Sequence, residues 1–143
     1  MREKLWLCGM YPLSGLLRVG LALAPFRYWA PYLGREVSDR PFCPLATESQ
    51  ERLAWRIGRT CALAARYTPW ETKCLAQAIL TRTWLGRFRI PYVVHIGVKK
   101  AGPGAPDPFA AHAWVQVGRL VVCGRQGHAA FTVLSSYADK RLA

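Results

Sequence analysis

The chain has 143 residues, 52% of them hydrophobic, and 20 Lys and Arg against 8 Asp and Glu give a formal charge of +12. That apolar content is enough to bury one core, which excludes a disordered chain, and one domain over 1–143 is expected. Such charge suits nucleic acid, an anionic membrane surface or an acidic peptide, but the cations are scattered, with no zinc-finger spacing, aromatic RNA-binding signature or basic arm, so no nucleic acid partner is read.

In chain order, Leu13–Ala24 is an apolar segment interrupted by Arg18 and bounded by Pro12 and Pro25. It reads as a packed or interfacial helix, too short to span a bilayer, with peripheral membrane contact left open. The aromatic stretch Phe26–Tyr32 follows, with Trp29 and Tyr32 read as packing residues, and Gly34–Leu45 reads as a connection. This helical N-terminal region, 1–45, precedes a core over 46–143.

Thr47 and Gln50 fit the capping-box pattern. Behind them Leu53, Ile57, Cys61, Ala64 and Ala65 recur at helical spacing, and Pro69 ends the helix. A second helix is expected from Cys74 to Gly86, capped by Thr72, with Leu75, Ala78, Ile79 and Leu85 inward. After Pro91 the pattern turns extended. Tyr92–Val98, Phe109–Val117 and Leu120–Cys123 read as strands, the last two joined by a turn at Gly118 and Arg119. Gly102–Pro108 is a loop by composition, and Phe131–Leu134 reads as a last short strand. Helices before strands, without alternation, predict an α+β fold with a small antiparallel sheet.

The cysteines are Cys8, Cys43, Cys61, Cys74 and Cys123. An odd count with no C-x-x-C pair indicates neither a disulfide framework nor a zinc site, so no metal and no cofactor is expected. With no signal-peptide cleavage pattern, a reducing cytoplasm is the expectation. Cys74 differs from the others by position. It opens a helix, where the dipole favours thiolate and free amides face an approaching group, and Lys73 adds a positive charge. Cys61 lies on an apolar stripe and reads as a buried small hydrophobe.

A base must come from His95, His112 or His128. His128 lies in a Gly-rich turn and reads as solvated; His95 lies mid-strand and reads as structural. His112 opens a strand, with Trp114 on its own face to shield a Cys–His pair from water. Trp70, four residues before Cys74, is a second candidate for substrate contact. No third triad member is assignable. Gly118–Gly124 contains no carboxylate, and Gln116 lies about 13 Å along the strand from His112. Asp107 and Asp139 sit in a loop and near the C-terminus. Strand pairing alone puts Arg125 or Cys123 opposite His112, which leaves a backbone carbonyl or a water as possible orienters.

The segments Tyr67–Ala78, Ile90–Val98 and Ala111–Val115 together resemble the transglutaminase-like cysteine proteases of lasso-peptide biosynthesis, over roughly Glu51 to the C-terminus. The resemblance implies a papain/transglutaminase-like fold, Cys74 as nucleophile and His112 as general base and acid. It implies removal of a leader peptide from a ribosomally made lasso precursor. It also implies two partners: a separate leader-binding protein, for which no module fits in this length, and an ATP-dependent lasso cyclase. The alternatives are an acyltransferase or transglutaminase using the same pair, or a non-catalytic basic adaptor that binds peptide.

Overall fold

The structure is a computed structural model that describes residues 2–38, 43–69 and 73–141. Helix α1 (Arg2–Leu23) runs through Pro12, which the sequence reading took as a boundary. An interior proline costs a helix about 3 kcal/mol. Burial of Met10, Ser14 and Leu17 on the side packed against the next two long helices offsets that cost. At 22 residues the helix is about 33 Å long, so the expectation of a segment too short to cross a membrane is corrected. By length and composition Glu3–Leu23 qualifies, as core helices and signal sequences also do. Helix α2 (Phe26–Leu33) packs Trp29 on the core, whereas Tyr32 is 62% exposed and touches Trp29 at 6.0 Å between rings.

The predicted connection contains a strand, β1 (Arg35–Glu36). Helix α3 (Glu48–Tyr67) starts at the expected capping box: the Gln50 amide donates to Thr47 Oγ1, and the Thr47 amide donates to Gln50 Oε1 at 2.9 Å. Its stripe of Ala54, Ile57, Cys61 and Ala64 is buried, while Arg52, Arg59 and Arg66 face solvent. Helix α4 (Cys74–Arg87) begins at Cys74, with Lys73 at the N-cap making no side-chain cap. Thr72, the expected cap, lies outside the described residues.

Strands β2 (Val93–Lys100), β3 (Phe109–Val117), β4 (Leu120–Cys123) and β5 (Thr132–Ala138) join β1 in one antiparallel sheet of order β1-β5-β2-β3-β4. The expected last strand is thus longer than its apolar run and lies inside the sheet. Ser135 and Ser136 weaken its alternation in sequence, yet both pair with β2. Period-two alternation sorts the side chains. Tyr92, Val94, Ala113, Val115 and Val117 join the core with Ile57, Cys61, Ala78 and Leu85. The cross-strand pairs His95–Trp114 and Gly97–His112 share the opposite face. The architecture is α+β, as expected.

Candidate active site

Cys74 is the first residue of α4, at the end of the helix whose first-turn amides have no intrahelical partner. With His112 it lines a cavity of about 250 Å³, whose other walls are Phe26, Leu75, Ile96, Ala111 and Ala113. Three consecutive strand residues, Ala111, His112 and Ala113, line this one cavity. Strand β4 ends at Cys123, opposite Val115, so Phe109–Trp114 have no ladder partner on that side among the described residues. Ala111 and Ala113 then face the cavity from the helix side, and His112 reaches it from the other. The two alanines leave room that larger side chains would fill. No hydrogen bond joins Cys74 to His112 among the described residues; catalytic hydrogen bonds are commonly long before substrate binds.

The His112 ring is held on several sides. Its Nε2 lies 2.7 Å from the Gly124 carbonyl, Trp114 stacks on it at 5.9 Å and 25°, and Phe131 lies at 5.1 Å. A carbonyl only accepts, so Nε2 carries the proton and donates it, which leaves the lone pair of the neutral ring on Nδ1. The partner expected by simple pairing, Arg125 or Cys123, is corrected. A bulge sets Val121 opposite Gln116 and Cys123 opposite Val115, inserting Val122 and carrying the chain so that the Gly124 carbonyl meets the ring. Gly124 has φ +69°, and a Cβ there would stand 2.4 Å from the Ala113 carbonyl oxygen. Only glycine fits.

The other histidines are otherwise engaged. His95 Nδ1 lies 2.8 Å from Ser136 Oγ and Nε2 lies 3.2 Å from Gln116 Oε1, while Gln116 donates to the Gly118 carbonyl at 3.0 Å. Burial holds the His95 pKa below the usual imidazole value. His128 is half-buried rather than solvated: it opens a short 3₁₀ turn, His128–Ala130, with Nδ1 2.6 Å from the Arg125 carbonyl and its ring 5.7 Å from Trp114. Trp114, 5% exposed, therefore lies among all three histidines. Trp70 lies outside the described residues.

Neither candidate carboxylate approaches His112. Asp107 is exposed in its loop. Burial opposes ionisation of Asp139, but hydrogen bonds from the Arg141 guanidinium and amide outweigh it and hold the carboxyl below the usual range. Cys8 and Cys43 are exposed, and Cys61 and Cys123 are buried. A hydrogen bond to Cys123, together with burial, pushes the Cys61 thiol up and keeps it inert. No cluster of His, Cys, Asp or Glu among the described residues could hold a metal ion.

Sequence reasoning missed Phe26 and Phe131, which come from segments distant in the chain from both Cys74 and His112, and the Gly124 carbonyl. A glycine directly after a strand was the only available signal for the last. Comparison with known proteins adds one match: the sequence model of the transglutaminase-like superfamily covers residues 20–136. It starts inside α1, upstream of the resemblance seen in the motifs. No curated protein and no solved structure gives a significant match.

Proposed function

The chain belongs to the transglutaminase-like superfamily, whose members are generally cysteine-based enzymes, and from that premise we propose a cysteine peptidase that removes the leader from a lasso-peptide precursor. One observation carries the reading: Cys74, at a helix N-terminus, shares an apolar cavity with a histidine whose Nε2 is already committed to a carbonyl. Nδ1 of His112 takes the Cys74 proton, and Sγ attacks the scissile carbonyl carbon, forming the C–S bond. First-turn amides of α4 donate to the resulting oxyanion. As the C–N bond breaks, His112 returns the proton to the departing amine. Water, giving its proton to Nδ1, then attacks the thioester and releases the new carboxylate and the thiol. The Gly124 carbonyl holds the ring in one tautomer and stabilises the imidazolium formed midway. Trp114 keeps water from the ring, and Trp70 is assigned to substrate contact.

The leader-binding protein and the ATP-dependent cyclase are the partners this role requires, in the cytoplasm where the precursor is made. The test is mass spectrometry of a candidate precursor incubated with the chain and the leader-binding protein. Cleavage that survives Cys74→Ala overturns the reading. An amide product that appears only with added amine assigns the chain to acyl transfer instead, since the superfamily includes transglutaminases as well as proteases.

A further inference from the structure

A second cavity, of about 800 Å³, opens between α3 and the β4 edge of the sheet. Trp55, Leu120 and Val121 give it an apolar floor, and arginines from both sides rim it. Arg52 and Arg56 already face carboxylates, Glu48 at 2.5 Å and Glu3 at 2.9 Å. The guanidinium groups of Arg119 and Arg125 face none among the described residues: Glu51 accepts only the Arg119 backbone amide, and Arg125 lies over the Trp55 ring at 5.6 Å. Two exposed guanidinium forks beside an apolar floor fit a carboxylate next to an apolar side chain.

We propose that this cavity binds a peptide segment carrying an acidic residue beside an apolar one. The mode is side-chain recognition, because α3 seals the outer edge of β4. Gly58 lies so close that a Cβ would stand 1.9 Å from the Val122 carbonyl oxygen, so an incoming peptide cannot add there as a strand. Nucleic acid fits less well, since Arg119 and Arg125, which face no carboxylate among the described residues, border a concave apolar pocket rather than an extended basic track.

The cavity is coupled in space to His112. Arg125 directly follows Gly124, and His128, on the cavity wall, connects to His112 through Trp114 in ring-to-ring steps of 5.7 and 5.9 Å. A place for the bound segment in the cleavage reaction rests on the peptidase reading, whereas binding itself does not.

The test is an NMR titration of the isotope-labelled full chain, as wild type and as Cys74→Ala. Three probes serve: an octapeptide containing Glu-Leu, its Gln-Leu counterpart, and an eight-nucleotide oligothymidylate. Saturable shifts of the Trp55 indole and of the Arg119 and Arg125 side chains are expected with the Glu peptide. Binding falls roughly fivefold with the Gln peptide, and similarly in the Arg119→Gln/Arg125→Gln double variant, whose positions are exposed. Arg87→Gln, on the exposed last turn of α4, leaves it unchanged. Equal affinity for the Gln peptide, shifts centred elsewhere, or tighter binding of the oligonucleotide overturns the proposal. Binding retained in Cys74→Ala separates the result from the fate of the peptidase reading.

Discussion

A backbone oxygen orients His112, and deletion of either candidate carboxylate is therefore expected to spare the reaction. Asp107→Asn and Asp139→Asn should cleave precursor at close to the wild-type rate, while His112→Ala should lose about 10²–10⁴-fold, the usual worth of acid–base help. Turnover assays on purified variants check both; an inactive, folded Asp107→Asn protein would restore a carboxylate to the triad. Cys61→Ala should keep its activity and lose stability on the order of 1 kcal/mol. Asp139 matters to folding instead. Its pKa is depressed in the folded chain, so its contribution is present above the unfolded carboxyl value of about 4 and is lost as pH falls through the folded value. Thermal melts below about pH 4 should show that loss in the wild type and less of it in Asp139→Asn.

At the scale of elements, the face of the sheet opposite the long helices carries a polar chain that orients the His95 ring. In the neutral ring Nε2 donates to Gln116 and Nδ1 accepts from Ser136, and Gln116 donates to the Gly118 carbonyl. Burial disfavours the charged form of the ring. The folded pKa is lowered, so the ring's contribution is complete above the unfolded value of about 6.5 and declines as pH falls from there toward the folded value. Melting temperature should drop between neutral pH and about pH 5, and His95→Gln should flatten that dependence while retaining turnover at neutral pH. The β3 wall of the reaction cavity makes a separate prediction. Ala111 is exposed on the cavity wall, so Ala111→Phe should preserve the fold and raise KM by filling the space a substrate enters. Unchanged steady-state kinetics would remove that cavity from the reaction.

Across the whole molecule, the reaction cavity is small and the positive charge is large. A volume of about 250 Å³ holds side chains flanking one bond, not a leader segment, so affinity remote from the bond must be supplied elsewhere. The chain alone should cleave precursor poorly, and the leader-binding protein should accelerate it. With a net charge of +12, assembly with acidic partners should weaken with salt, because exposed charges are screened beyond about 8 Å at physiological ionic strength. Cleavage rates at low and high salt, with and without the partner, measure both effects. Efficient cleavage by the chain alone would contradict the first, and salt-independent rates the second.

The helix starts behind the Thr47 cap and at Cys74 and the α+β order were legible in the sequence because each depends on local chemistry. A capping box, an apolar stripe and the burial alternation of a strand are written in neighbouring residues. The continuation of α1 through Pro12, the inner place of β5 and the wall supplied by Phe26 were not. Each is decided by packing against elements far away in the chain, which overrides a local break or a weak alternation. The partner of His112 was decided last and by tertiary structure alone. A backbone carbonyl is the same in every residue, so only the bulge opposite Val115 and the left-handed turn at Gly124 could single one out.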